Sequence, residues 1–384
     1  MRFAIMESVV TPGGHEIDFD RILVEELSSL RHTVEFYVPE RHRFKWDYGV
    51  PVHTLQGKGI SYQGARGMKK FVLSAKRELH RQYWYRDMYH YACAGKFDAI
   101  IFPSATYRYL RALKISPLKH SPVPVLFLIH GLTPDEAKRL DKAAEPFAKL
   151  PNIRIGVQTF ARNKLHLAAD HLRIYSPPNY IPRDIHPSDF SPKGDTIILG
   201  FFGQYRREKN LKFLLDAFLA GSYTRPVCLF VQGATQTKAD REDFDRLIRA
   251  YEKEKTIQFL HEPLIGMAWQ KALASVSAIV IPYGNERYRY HTSAMISNAI
   301  GYKKPVLAAD NVNPEVLAAH AIGVSFPNGD SRALTQALEK FVNTYEEEKN
   351  KYASALDQAY TEYAPSRLAE NIVALASDEG RDIC

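Results

Sequence analysis

Short apolar runs rich in branched residues recur along the first half of the chain, at Arg2 to Val10, Thr33 to Val38, Asp98 to Phe102, Val123 to Ile129 and Ile153 to Val157. Polar or helical stretches separate them, and strands that are apolar on nearly every residue are what a parallel sheet covered on both faces demands. The opening strand runs into Thr11-Pro12-Gly13-Gly14. An amphipathic helix from about His15 to Leu30 follows, with Ile17, Ile22, Leu23, Leu27 and Leu30 near helical spacing. The pattern predicts a βα unit and an α/β first half.

Around Ser176 to Gly194 prolines concentrate, at Pro177, Pro178, Pro182, Pro187 and Pro192. Each restrains its own backbone and that of the preceding residue, which predicts a linker. The second half restarts with strand Thr196 to Phe202. Helix Leu211 to Ala220, strand Val227 to Val231, helix Asp240 to Glu254 and strand Ile257 to Leu260 come next, then helix Met267 to Ala274, strand Ala278 to Pro282, helix Ser293 to Ile300 and strand Pro305 to Ala308. From Arg332 to Leu375 the pattern is helical, with Ala333, Leu334, Ala337, Leu338 and Phe341 on one stripe. The simplest architecture is two doubly wound α/β domains facing a central cleft, where ligand should bind. Its parts are a first domain over 1–178, a linker over 179–194, a second domain over 195–360, and a C-terminal helix over 361–384 packing back on the first.

Composition narrows the class. The 384 residues are 45% hydrophobic and 24% charged, which suits a soluble globular protein with enough core to need no disulfides. No apolar run approaches the roughly 18 residues of a membrane span and the start is not a signal peptide, so a cytoplasmic protein is expected. Cys93, Cys228 and Cys384 lie far apart without a Cys/His cluster, so no zinc site or disulfide framework is expected. A net charge of +8 favours polyanionic partners: phosphate esters, nucleic acid or an anionic bilayer.

Two segments carry chemistry. In GFFGQYRREKNLKFLLDAF, Gly200 to Phe218, a buried strand ends at Gly203, where a ligand can approach the backbone. Arg206, Arg207 and Lys209 follow and can neutralise a diphosphate. In IPYGNERYRYHTSAMISNAIGYKKPVLAADN, Ile281 to Asn311, a strand ends in a polar loop, and Thr292 and Ser293 are candidate N-caps of a helix whose first amides form an anion site. Gly13 and Gly14 permit a third close approach, and His130 ends the VLFLI strand where sheet residues face a ligand crevice.

These segments together resemble the GT-B glycosyltransferases of family four, over nearly the whole chain in order, with the specific motifs mostly between Gly200 and Asp310. The resemblance implies a GT-B fold and a retaining, metal-independent hexosyl transfer from a nucleotide-diphosphate sugar to a hydroxyl of a glycan or lipid-linked saccharide. No cofactor beyond the donor is implied. Residue by residue it points to Arg206, Lys209 and His130 for catalysis. For the donor it points to Gly13, Gly14, Gly203, Gln204, Glu286, Tyr290, Thr292, Ser293, Ala294 and Asn298. Aligned on Pro305 and Val306, Tyr290 and Asn298 stand where the family carries two acidic residues, and Lys303 stands where it carries glycine. In the family, Asn179 falls in a motif that marks the hinge. A retaining route would let the leaving phosphate take the acceptor proton; an inverting one needs a base, for which Glu16, Asp18 and His130 are candidates. The neutral residues at 290 and 298 also fit a binding or scaffold protein without turnover.

From Arg66 to Tyr91 basic and aromatic residues mix: Lys69, Lys70, Lys76, Arg77, Arg81 and Arg86 with Phe71, Tyr83, Trp84, Tyr85 and Tyr89. Such a helix suits an anionic membrane surface or packs its apolar residues on the sheet. It would suit RNA too, but without an RRM, KH or helix-turn-helix signature no nucleic-acid partner is expected.

Overall fold

The structure is a computed structural model and describes residues 1–9, 16–61, 67–161, 167, 172–188, 190–192 and 194–377. Two compact units divide the chain: Met1–Ser176 with the chain from Pro365 onward, and Pro177–Ala364. In the first unit the described strands are β1 (Arg2–Met6), β2 (Thr33–Glu40), β3 (Val52–Lys58), β4 (Ala99–Ala105), β5 (Val125–His130), β6 (Ile153–Gln158) and β7 (Leu172–Tyr175). They pair in the order β3-β2-β1-β4-β5-β6-β7, every pairing parallel. Helices α1 (Glu16–Ser29), α2 (Gly67–Cys93), α3 (Tyr107–Leu113) and α4 (Pro134–Ala144) connect them. The start of α4 is fixed by a reciprocal cap: Thr133 Oγ1 accepts from the Glu136 amide at 3.3 Å, and the Glu136 carboxylate accepts from the Thr133 amide at 3.0 Å.

The second unit holds β8 (Ile197–Phe201), β9 (Val227–Gln232), β10 (Ile257–Leu260), β11 (Ala278–Ile281), β12 (Val306–Ala309) and β13 (Gly323–Phe326), paired in the order β10-β9-β8-β11-β12-β13 and again all parallel. Its helices are α5 (Leu211–Ala220), α6 (Lys238–Tyr251), α7 (Met267–Ala274), α8 (Ala294–Gly301), α9 (Pro314–Ala319), α10 (Ser331–Asn343) and α11 (Tyr345–Glu362). Central β11 and β12 are buried at every residue, as strands covered on both faces must be. Both sheets reverse strand order beside their first strand, β1 against β4 and β8 against β11. In open α/β sheets ligands bind outside the carboxyl ends of the strands at that reversal.

Residues 179–188, which the proline content predicts as linker, lie within the second unit. Asn179, Tyr180, Ile181 and Ile185 are buried, the Asn179 amide donates to the Tyr363 carbonyl at 2.7 Å, and its side-chain nitrogen donates to Tyr360 at 3.2 Å. Residues 179–182 thus pack as part of that unit. After α11 the chain returns to the first unit as α12 (Pro365–Ala376), which packs on α1, β5 and β6. There Arg154 donates to the Leu375 and Ser377 carbonyls at the end of α12.

Candidate functional site at the carboxyl ends of β8 and β11

Beyond β8 the chain makes a sharp turn at Gly203, whose φ of 98° lies where glycine alone is unstrained. A Cβ there would stand 3.2 Å from Lys209 Nζ, so the missing side chain is what lets the lysine lie against the backbone. Lys209 ends a 3-10 turn over Arg207–Lys209, donates to the Phe202 carbonyl at 3.3 Å, and sits 5.0 Å above the buried Tyr283 ring. Burial, together with Arg206 and Arg287 nearby, pushes the Lys209 ammonium down to about 7.

The loop after β11 closes on the same point. Gly284 donates its amide to the Glu208 carbonyl at 2.9 Å, and a Cβ on it would meet Asn210 Nδ2 at 2.4 Å. Glu208 holds Arg287 at 2.9 Å and Arg206 at 3.7 Å, and accepts from the Tyr288 hydroxyl at 3.4 Å. Arg206 also donates to Gln204 at 3.2 Å. Arg206 and Arg287 thus share one carboxylate and Lys209 feels all three charges, so an anion entering there would meet a basic cluster.

Asparagines fasten the loop. Asn311 donates to the Asn285 carbonyl at 3.1 Å, Asn328 to Gly284 at 3.2 Å, and Asn313 to His291 at 3.1 Å while its oxygen accepts from the Ser293 amide at 2.8 Å. Beneath Gly203, buried Gln232 accepts the Gly203 amide at 2.9 Å and donates to the Glu262 carbonyl at 2.6 Å.

Several expectations need amendment. Arg207 does not join the cations: it makes a two-point pair with Asp243 on α6 at 2.9 and 3.0 Å, which with Tyr205 holds that carboxyl down to about 2. Ser293 is the N-cap of α8 by position, yet its side chain makes no capping bond, and both Ser293 Oγ and Thr292 Oγ1 are buried without a hydrogen-bond partner. Ala294 opens the helix. Asn298 is buried in its interior with Oδ1 unpartnered, Glu286 is exposed, and Tyr290 is half-buried at the end of a 3-10 turn. Lys303, in the family's glycine position, has a φ of 51°. In the first unit His130 Nε2 lies 2.7 Å from the Pro103 carbonyl oxygen and its ring packs edge-on against Phe19 at 4.5 Å. Gly13 and Gly14 lie outside the described residues. Arg287, Glu208, Asn210 and the three loop asparagines were not singled out by sequence. Glu286 was the nearest residue singled out, one position before Arg287.

Residues 196–344 match the family model of glycosyl transferases group 1. By sequence alone no curated protein matches the chain. Solved structures share its fold over nearly the whole length. HepE of Anabaena, in complex with UDP and glucose, superposes with a TM-score of 0.65 at 13% identity, covering 97% of this chain and 98% of that one. Sucrose-phosphate synthase of Thermosynechococcus elongatus gives 0.68 at 13% identity over 98% of each chain. The catalytic domain of starch synthase IV of Arabidopsis thaliana, bound to ADP and acarbose, gives 0.63 at 12% identity over 98% of each. The two parallel-sheet α/β units match the GT-B fold of these solved structures.

Proposed function

We propose that this chain is a glycosyltransferase moving a hexosyl group from a nucleotide-diphosphate sugar to a hydroxyl of a glycan or lipid-linked saccharide, with retention and without a metal ion. The observation that carries the reading is the convergence of Arg206, Lys209 and Arg287 at the carboxyl ends of β8 and β11, inside the segment that matches group 1 transferases. UDP in HepE and ADP in starch synthase IV support a nucleotide donor. In the transfer the bond from the anomeric carbon to the diphosphate oxygen breaks, and negative charge grows on the departing phosphate. Lys209 and the two arginines meet that charge, Gly203 leaves room for it, and the first amides of α8 with Thr292 and Ser293 supply further donors. The acceptor oxygen bonds to the anomeric carbon from the face the phosphate leaves, and its proton passes to the leaving phosphate oxygen, so no side-chain base is consumed. Gln204, Glu286, Tyr290, Ala294 and Asn298 line the donor side in this reading; the family resemblance alone assigns His130 to the sugar.

Tyr290 and Asn298 favour a second reading, since neutral groups hold ribose and sugar hydroxyls more weakly than carboxylates do: a protein that binds nucleotide sugar without turnover. Incubation with UDP-, GDP- and ADP-hexoses, in chelator and with saccharide acceptors, separates the two. Release of nucleoside diphosphate with an α-linked product from an α-linked donor is expected. Binding without release would favour the second reading, and neither binding nor release would overturn both.

A further inference from the structure

We infer that the first three turns of α2 form a docking surface for an anionic lipid bilayer. Met68, Phe71, Val72 and Leu79 are 78, 71, 55 and 52% exposed, and with Ala75 they repeat at three- and four-residue steps, forming one stripe about 100° wide. The face on the other side of the same helix is the packed one. Trp84, Tyr85 and Met88 are buried there, Trp84 Nε1 donates to the Gly57 carbonyl at 3.1 Å and the Tyr85 hydroxyl donates to the Tyr109 carbonyl at 3.0 Å. The helix is therefore pinned by its second half and presents a contiguous apolar stripe from its first. Isolated exposed apolar residues are ordinary, but an aligned set of large ones is a contact surface.

Charge selects the partner. Lys69 and Lys76 border the stripe, and Arg86, which donates to Gln56, lies on its line beyond Leu79. The acidic side chain within these turns, Glu78, is already engaged by Arg77 at 3.3 Å and by Arg81. A second copy of the chain would bring the same lysines against these, and a nucleic acid would use the lysines but leave Phe71 and Met68 in water. A bilayer with anionic headgroups satisfies both, with the side chains inserted at the acyl boundary and the ammonium groups at the phosphates. Among the described residues no helix is long and apolar enough to cross a membrane, so the contact is one of lying on the surface.

Flotation of the full chain with vesicles tests this without any sugar donor, so its outcome is separate from that of the transferase reading. Wild type is expected to float with vesicles of phosphatidylcholine and phosphatidylglycerol in equal parts and to stay behind with phosphatidylcholine alone. Phe71→Ser with Leu79→Ser should weaken the anionic binding by about tenfold or more, as should Lys69→Glu with Lys76→Glu, while far-ultraviolet circular dichroism stays that of wild type because these side chains are exposed. Failure of wild type to float, flotation unaffected by both pairs of changes, or a wild-type dimer in sedimentation that Phe71→Ser dissociates would overturn the inference.

Discussion

The carboxyl ends of β1 and β8 occupy the same place in two similarly wound sheets, yet they are built with opposite charge. After β8 stand Arg206 and Lys209, joined by Arg287 from the loop after β11. After β1 stands Glu7, 3% exposed, with Asp20 of α1 equally buried and Glu16 close to both. Glu7 Oε1 takes the Val9 amide, while Glu7 Oε2, Glu16 Oε2 and Asp20 Oδ1 are buried without hydrogen-bond partners. Burial, reinforced by Glu16, pushes Glu7 up to about 7, and burial with Glu7 and Glu16 pushes Asp20 well above the usual carboxylate range. The same physics thus drives Lys209 and Glu7 toward neutrality, with opposite consequences. A phosphate arriving beside Lys209 would restore its charge; beside the acids it would favour their protonated forms and meet no cation. Topology supplies two equivalent places, and on the proposed function only the basic one is suited to a donor diphosphate.

Lys209→Ala should break that contrast most visibly. Removing an oriented cation from a leaving-group site costs on the order of a hundredfold in turnover or more. Because burial disfavours the charged lysine, the variant should unfold no more easily than wild type. Binding of UDP or ADP to wild type should take up protons above about pH 7, since the ammonium must be recharged. Affinity should then fall as pH rises through the range above 7, and the fall should vanish in Lys209→Ala. Calorimetry in buffers of different ionisation enthalpy reads both. Unchanged turnover in the variant would remove the cation cluster from the mechanism.

Glu7→Gln probes the other end. Glu7 holds its proton more tightly folded than unfolded, where its ordinary value is 4.5. The stability this gives is complete below that value and is lost as pH rises toward 7. The facing groups are Glu16 and Asp20, with Tyr48 feeling both Asp20 and Glu7. Wild type should therefore lose on the order of 1–3 kcal/mol between pH 5 and 8, and Glu7→Gln should flatten that slope. Urea midpoints at the two pH values read it. An equally steep slope in the variant would place the titration elsewhere.

How much of this was legible in the sequence follows from burial. Central strands such as β4, β5, β11 and β12 announce themselves as unbroken apolar runs. The strands that sequence reading passes over, β3, β7 and β13, are all sheet edges. An edge strand needs little apolar sequence: β3 exposes most of Val52–Lys58 and buries Leu55 alone. Lys209 was legible because its glycine turn, basic residues and helix are contiguous. Arg287 was not, because it reaches Glu208 from a segment 79 residues away, and nothing local distinguishes it from Arg289. The acids at β1 escaped for a similar reason: Glu7 and Asp20 meet only once α1 packs back on its strand.

Arg287→Ala sharpens the contrast by asking whether the cation supplied from β11 matters beside the one supplied from β8. The side chain is 39% exposed and shares Glu208 with Arg206, so its field is partly screened and partly neutralised. About a tenfold loss in turnover is expected, roughly 1.4 kcal/mol, with the loss carried by kcat if the interaction tightens as phosphate charge grows. A rise in KM alone would assign Arg287 to ground-state binding.

The smallest expected effect comes from the far end of α8, where the fold and the chemistry can be told apart. Lys303 follows the C-cap Tyr302 with a φ of 51°, the left-handed conformation that ends many helices and that glycine adopts without a Cβ clash. Glycine at the matching position of the family has a backbone reason, and lysine here carries strain of about 1–2 kcal/mol. Its ammonium pairs with Asp357 at 2.6 Å and lies 4.9 Å over the Tyr360 ring, but both charged groups are substantially exposed, which limits the compensation to less than about 1 kcal/mol. Lys303→Gly relieves the strain, forfeits those contacts and adds chain entropy to the unfolded state. A net gain of up to about 1 kcal/mol is expected, read as a higher urea midpoint at unchanged m-value. Nucleotide affinity should not move, because the Lys303 side chain is engaged with Asp357 and Tyr360. A variant that lost affinity along with the strain would show that the pocket depends on the backbone at 303 as well as on Lys209 and its neighbours.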